Sequence, residues 1–286
     1  MPSLRVLTWN SNGGAAPRGA QIVAAANTLS GMYPAHPLQL CVCQETAVGP
    51  DSILAAFTAT PPFSLSFAQP PLFNREHLPP PAQPFRIPPS RAYRMTYMNA
   101  GPAALNLAAV GGFNLVNLDP AFDMGVAGWI AAQGLAPGLL AAVNQCAGNI
   151  RWPVHQQFTY GAGTVHFFTW HAPLLANWLG ANFSVIALPG GGLWEAFQFF
   201  QHSTYYTNIM AGLGANDAIV IAGDFNTTAA GLAPAVPNMF PNYDGYSHNL
   251  SHILVYSPSI ALDIDQGHNT PSPNSPHDLI SARVIW

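Results

Sequence analysis

The sequence predicts an α+β chain with a polar site along one rim of a β-sandwich. Three observations carry this. The buried-looking run Ala218-Ile219-Val220-Ile221-Ala222 ends in Gly223-Asp224-Phe225-Asn226. Residues two apart on a strand share a face, so a carboxylate and an amide reach one strand end together, where they can hold a water, a divalent metal or a phosphate oxygen. The same arrangement recurs: Leu4-Arg5-Val6-Leu7-Thr8-Trp9-Asn10 ends in Asn, Leu38-Gln39-Leu40-Cys41-Val42-Cys43-Gln44-Glu45 in Gln-Glu, and Thr164-Val165-His166-Phe167-Phe168-Thr169-Trp170-His171 in His. Helical periodicity separates some of these runs.

Taken in order, the strand ending at Asn10 precedes a helix over residues 17–33, with Ile22, Ala25, Ala26 and Leu29 on one side. After the Gln44-Glu45 strand, residues 51–57 form a short helix capped by Asp51. Residues 61–89 hold ten prolines, which excludes helix and central strand and predicts a long surface loop. Strands follow over 91–99 and 103–110. Residues 127–143, rich in Gly and Ala, are left open. Residues 151–158 and 164–170 read as a hairpin around Gly161-Ala162-Gly163. The strongest helix spans 193–213, with Trp194, Phe197, Tyr205, Ile209 and Met210 for its inner face. After the Asp224 strand, 231–249 reads as loop, Leu250-Ser251-His252-Ile253-Leu254-Val255 as strand and 267–275 as loop. Ser275-Pro276-His277-Asp278-Leu279-Ile280 completes the series. The motifs interleave from end to end, so residues 1–286 are expected to form a single domain.

Composition bounds the function. Of 286 residues, 49% are hydrophobic and 7% charged, enough for a large core. No apolar run reaches the ~18 residues of a membrane helix. The formal charge of −4 does not attract nucleic acid overall, so polyanion binding requires a local cluster or a metal. All eight basic residues are Arg. Two readings of that bias stay open: drift in a GC-rich genome, or escape from lysine modification inside a foreign cytosol. Cys41 and Cys43 share a strand face and read as buried thiols rather than metal ligands, and Cys146 has no evident partner. No leader precedes the first strand, so the expected location is secreted or delivered into a target cell after loss of a leader, with the cytoplasm as the alternative. The glycosylation sequons at Asn182, Asn226 and Asn249 are read as chance, because a glycan on Asn226 would fill the site.

The set and order of these motifs, from Arg5 to Ile285, resemble the endonuclease/exonuclease/phosphatase superfamily, whose members look like deoxyribonuclease I. Within it, Arg5-Val6-Leu7-Thr8-Trp9-Asn10, Asn106-Leu107-Ala108-Ala109-Val110 and His171-Ala172 are similar to the catalytic subunit of cytolethal distending toxins. The resemblance implies a four-layer sandwich, two packed and mostly antiparallel β-sheets flanked by helices. It also implies Mg²⁺ or Mn²⁺ on Glu45 and Asn10, Asp224 as the water-activating carboxylate, Asn226 as a phosphate-holding amide, and His171 and His277 as phosphate or acid groups. Arg151 stands where the toxin subunits carry an Arg, and a guanidinium there can clamp phosphate.

Three departures stand out. The family's Asp before the second His is Pro276 here, and the Asp before the His252-Ile253-Leu254-Val255 strand is Ser251. The latter normally orients the second His, so His277 is expected to lack its charge partner. The Glu that partners the first His in deoxyribonuclease I-like members falls near Arg91 and looks absent. Asp263, Asp265 and Asp278 are the candidate compensating carboxylates, and Asp263 is an alternative match to the missing Asp.

Three functional readings follow from the resemblance. The first is a divalent-metal-dependent phosphodiesterase, a toxin-type deoxyribonuclease acting on DNA with toxin delivery subunits as partners. The second is a phosphatase or lipid phosphodiesterase on the same scaffold, which the Pro-rich loop and sparse charge suit. The third is a catalytically impaired binding subunit of a toxin complex, which Ser251 and Pro276 favour.

Overall fold

The computed structural model describes residues 1–13, 16–47, 51–59, 65–68, 91–99, 102–172, 193–233, 236, 242–258 and 262–286. Along the chain run β1 (Ser3–Asn10), α1 (Ala16–Met32), β2 (Leu40–Ala47), α2 (Ser52–Ala59), β3 (Leu65–Ala68), β4 (Arg91–Met98), β5 (Ala108–Leu115), α3 (Met124–Ala132) and α4 (Pro137–Asn149). They are followed by β6 (Val154–Tyr160), β7 (Gly163–Thr169), α5 (Leu193–His202), α6 (Thr204–Gly212), β8 (Ala218–Asp224), α7 (Ala229–Leu232), β9 (Asp244–His248), β10 (Ser251–Tyr256), β11 (Asp263–Thr270) and β12 (Leu279–Ile285).

The strands form two six-stranded sheets, ordered β11-β12-β1-β2-β4-β3 and β5-β6-β7-β8-β10-β9. Each sheet has one parallel pair at its centre, β1–β2 and β7–β8, and is otherwise antiparallel. A parallel pair needs a crossover, and α1 supplies it in the first sheet, α5 and α6 in the second.

Alternation along each strand sorts the layers. Leu4, Val6, Leu40, Val42, Val165, Phe167, Val220, Ala222, Ile253 and Ile280 face between the sheets and form one core. Leu7, Trp9, Cys41 and Cys43 face outward onto α1 and α2, which contribute Ile22, Leu29, Ile53 and Phe57. Phe168, Trp170, Ile219 and Ile221 face the other way, onto Val126, Ile130, Phe197 and Phe200 of α3 and α5. The four-layer α+β sandwich is therefore as the resemblance implied.

Several boundaries differ from expectation. The helix expected over 193–213 is two helices, because Ser203 is extended (φ −61°, ψ 139°) and its hydroxyl accepts from Tyr206 N at 3.2 Å as the N-cap of α6. Phe197, Tyr205, Ile209 and Met210 do pack inward, and the Trp194 side chain lies outside the described residues. Residues 103–105 form a 3-10 turn, so β5 starts only at Ala108. The open segment 127–143 falls in α3 and α4, separated at Gly134 (φ +62°), with the Asp123 carboxylate accepting from Gly125 N and Val126 N. Strand β9 and the end of β11 replace parts of the two expected loops. Asp51 caps α2 as expected, accepting from Leu54 N at 2.7 Å. Of the Pro-rich segment only β3 is described, and Asn182 lies outside the described residues. Cys41 and Cys43 are free, buried thiols, and burial first, then hydrogen bonding to Cys41, pushes the Cys43 thiol well up. The Cys146 side chain is outside the description. Among the described residues no helix is long and apolar enough to cross a membrane.

Strands β7 and β8 come unusually close at Gly223, where a Cβ would meet the Trp170 carbonyl oxygen at 2.0 Å. That neighbour is backbone and cannot swing aside. Gly223→Ala is expected to lower unfolding free energy by about 3 kcal/mol or more. Urea unfolding checks this, and wild-type stability in the variant would contradict the packing described.

On the outer face of the second sheet, His155 is buried between Tyr205 (Nδ1 to hydroxyl, 2.7 Å) and His166 (Nε2 to Nδ1, 3.2 Å). Burial, and then His166, push its pKa down to about 3. An unfolded His titrates near 6.5, so below that pH the unfolded chain binds a proton that the folded chain refuses. The stability contribution is present above pH ~6.5 and is lost toward pH 3 at up to about 1.4 kcal/mol per pH unit. His155→Gln is expected to flatten unfolding free energy against pH between 6.5 and 4.5 by close to one proton. Equal slopes in the two proteins would exclude His155 as the group.

Candidate active site

The inward parity of four strands converges at one rim. On β1 the inward series Leu4, Val6, Thr8 ends at Asn10, and on β8 Ala218, Val220, Ala222 ends at Asp224. On β7 the inward series Val165, Phe167, Thr169 reaches His171 two residues beyond the strand. On β2, Leu40 and Val42 lead to Gln44. Each central pair is parallel, so its two C-terminal ends lie together, and the Asn10–Asp224 hydrogen bond brings both pairs to one rim. Below it, buried Gln44 donates from Nε2 to Thr8 Oγ1 and Thr169 Oγ1, each at 2.9 Å, and so joins the two sheets.

The Asp224 carboxylate lies at the centre and is fully buried. Its Oδ2 accepts from Asn10 Nδ2 at 2.8 Å, with His277 Nδ1 at 3.3 Å and His171 Nε2 at 3.7 Å. Its Oδ1 accepts from Asn226 N at 2.8 Å. Asn226 is left-handed (φ +53°), a conformation Asn tolerates, and its Nδ2 donates to Ala172 O at 2.6 Å. The amide thereby ties the end of β8 to the chain leaving β7. The His171 backbone is fixed as well, its N–H donating to Tyr93 Oη at 3.0 Å.

Glu45 needs a device that strand alternation does not supply. Cys43 faces the helices and Gln44 the other sheet, so the next residue should turn away from the site. Instead β2 shifts register against β4 between Cys43 and Thr46, and Glu45 adopts φ +52°. This bulge turns the side chain back, and Oε1 comes to 3.1 Å from His171 Nδ1. The Glu expected to be missing as partner of the first His is thus replaced in position by Glu45 itself. A doubly protonated His171 ring would face carboxylates from both nitrogens.

His277 arrives on the segment before β12. Its carbonyl accepts from Trp9 Nε1 at 3.0 Å, and Ser275 Oγ donates to Asn10 O at 2.8 Å. The carboxylate beside its ring is that of Asp224. Ser251 lies directly across from Asp224 in the β8–β10 register, a neutral group where an Asp was expected.

None of the three candidate compensating carboxylates pairs with the His277 ring, and Asp263 and Asp265 lie at the far end of the sheet, which corrects the expectation for those two. Asp265 pairs with Arg283, from Oδ2 to Nη2 at 2.5 Å, at the opposite end of the first sheet, because β11 and β12 align those residues. Asp263 is exposed and aligned with Ile285 at the same far end. Asp278 Oδ2 engages His248 Nε2 at 2.8 Å rather than His277. Arg151 is near, its Nη1 donating to the His171 carbonyl at 3.4 Å. Behind the site His252 is buried and bonded to Ser247 Oγ and Thr227 O, and burial pushes its pKa down despite the Thr227 bond and Asp224. Sequence reasoning missed Tyr93, His248 and the Thr8–Gln44–Thr169 bridge. Of these, Thr8, Gln44 and Thr169 stood in recognised strand motifs, each two residues or fewer before a site residue, whereas Tyr93 and His248 had no motif signal.

Among the described residues no three His, Cys, Asp or Glu side chains cluster as a metal cage. The Glu45 carboxylate and Asn10 carboxamide are hard oxygen donors, and the Glu45 side chain is 17% exposed. That set fits Mg²⁺ or Mn²⁺ retaining most of its water, which needs only one or two protein carboxylates.

Neither a family model nor a curated protein matches the sequence. Solved structures do match in fold. A humanized Danio rerio TDP2 aligns with TM-score 0.53 and 10% identity over 99% of each chain. An endonuclease/exonuclease/phosphatase family protein from Leptotrichia buccalis aligns with TM-score 0.53 and 11% identity over 99% of this chain and 100% of that one. The mannosyl-6-phosphatase of Bacteroides thetaiotaomicron aligns with TM-score 0.53 and 12% identity over the same shares. The chain has the fold of endonuclease/exonuclease/phosphatase proteins.

Proposed function

We propose that this chain is a divalent-metal-dependent phosphoester hydrolase, and within that class a deoxyribonuclease of the toxin type. The observation that carries the reading is the convergence of Asn10, His171 and His277 on the buried Asp224 carboxylate, beside Glu45. Bound Mg²⁺ or Mn²⁺ on Glu45 and Asn10 would supply charge to polarise a phosphoryl oxygen.

The chain's own residues then have separable tasks. Asp224 holds His277 by Nδ1, which leaves Nε2 to meet substrate. His277 Nε2, with Asp224 behind Nδ1, accepts the proton of a water that attacks phosphorus, the bond from phosphorus to the leaving oxygen breaks and that oxygen takes a proton from solvent, and a protonated His171 neutralises charge growing on phosphate oxygens. Asn226 and Arg151, both tied to carbonyls at the end of β7, flank the same phosphate as additional donors. DNA as substrate is supported by a structural neighbour, a D. rerio TDP2 complexed with a single-stranded DNA product (TM-score 0.51, 10% identity). The mannosyl-6-phosphatase fold supports a small phosphate ester as the alternative. Secretion or delivery into a target cell, with separate delivery subunits, completes the toxin reading. A binding subunit without catalysis is the competing one, favoured by Ser251 and by the fully buried state of Asp224.

Asp224→Asn and His171→Ala are each expected to lower cleavage by about 10²-fold or more, the scale of losing one acid–base or charge-stabilising group. Nicking of supercoiled plasmid, and phosphate release from phosphoinositide vesicles and sugar phosphates, measure this and separate the substrates. Near wild-type turnover in either variant would contradict the site. No cleavage of any of these by wild type would favour the binding subunit.

Chelation gives a second test. EDTA is expected to abolish activity and added Mg²⁺ or Mn²⁺ to restore it, with Glu45→Gln weakening the restoring metal's affinity. Full activity in chelator, or unchanged affinity in Glu45→Gln, would remove the metal from the account.

A further inference from the structure

Two cross-sheet contacts run through adjacent residues of one segment. His277 reaches from the first sheet to Asp224 on β8, with Nδ1 3.3 Å from Oδ2. The next residue, Asp278, reaches to His248 at the end of β9, with Oδ2 2.8 Å from Nε2. Both cross from the segment before β12 to the second sheet, one by the ring and the other by the carboxylate. The strand register sets their spacing. His248 pairs with Ser251 and Ser251 with Asp224, so the three lie in one row across β9, β10 and β8. Directly paired residues share a face, which here is the face between the sheets.

The Asp278 carboxylate also orders its own segment. Oδ1 accepts from Ser272 N at 3.3 Å, and Oδ2 from Asn249 Nδ2 at 3.4 Å. Trp9 and Ser275 hold the same segment to β1. The His277 ring therefore projects from a backbone fixed on both sides. Consecutive Cα atoms are 3.8 Å apart, so a shift at Asp278 passes directly to His277.

We propose that His248 is a positioning residue for His277, acting through Asp278, in place of the carboxylates absent at Ser251 and Pro276. The pair is a third exposed on the His248 side, 32% against 22% for Asp278, so it contributes little to folding. Misplacement of a catalytic ring by about 1 Å, by contrast, can cost on the order of 10²-fold in rate. The inference rests on the assignment of His277 to a hydrolytic site, but the position of the ring can be measured without any reaction.

The test compares wild type with His248→Ala, His248→Gln, His277→Ala and the double His248→Ala/His277→Ala. The first readout is the His277 imidazole signal in ¹³C- and ¹⁵N-edited NMR near neutral pH. It is expected to move in His248→Ala and to return in His248→Gln, whose amide N–H can still reach Asp278. The second is hydrolysis of bis-p-nitrophenyl phosphate with Mg²⁺. His248→Ala is expected to lower kcat by roughly 10- to 100-fold with little change in KM. His248→Gln should recover most of it, and the double variant should be no slower than His277→Ala, because residues acting as one unit are non-additive. An unmoved His277 signal would overturn the proposal, as would a further loss of rate from His248→Ala in the His277→Ala background. If wild type hydrolyses nothing, the hydrolytic reading fails, and the NMR comparison alone decides the tether, a moved signal supporting it and an unmoved one refuting it.

Discussion

A fully buried carboxylate governs the architecture of this rim. Removing the charge of Asp224 from water is expensive unless donors replace the lost hydration. The compensation comes from both sheets: Asn10 of β1 donates to Oδ2 and the Asn226 N–H after β8 donates to Oδ1, while the His277 and His171 rings lie beside Oδ2 at 3.3 and 3.7 Å. Neither sheet could satisfy Asp224 alone. Packing of the two sheets and assembly of the site are consequently one event, and disturbance of their register would leave a charge buried without partners.

The polar rim stands on a layer that makes this alignment specific. Apolar side chains fill the space between the sheets but permit small slips, since hydrophobic packing is non-directional. The Gln44 bridge to Thr8 and Thr169 is directional and fully buried, one step below Asn10 and Asp224. Gly223 allows the β7 chain to pass close enough for Ala172 N to donate to Asp224 O at 2.8 Å. His171 thereby reaches both carboxylates, while the bulge at Glu45 supplies the second of them.

What could be read from the sequence was what depends on alternation and short range. Asn10, His171 and Asp224 end inward-facing series, and period two places them on one face without knowledge of strand pairing. Glu45 was legible as a residue but not as a geometry, because left-handed backbone at a non-glycine position is enforced by tertiary contacts and leaves no local signal. The partners of the candidate compensating carboxylates were hidden for a related reason. Asp265 belongs to Arg283 and Asp278 to His248 through pairings of β11 with β12 and of the sheets across the rim, which adjacency in sequence does not reveal. The break at Ser203 had a local signal, a helix-capping residue inside an apolar periodicity, which the strength of that periodicity masked.

The most direct test is a crystal structure of Asp224→Asn. An amide replaces one acceptor oxygen with a donor at nearly constant volume, so it removes the charge and leaves the packing. If the buried carboxylate organises the rim, the β8–β10 register persists while the Asn10 carboxamide turns over and at least one of the His171 and His277 rings withdraws from the position it holds beside Asp224. Superposition of all three side chains on the wild-type structure would contradict that role, by showing that they are placed by their own segments and that the buried carboxylate organises nothing.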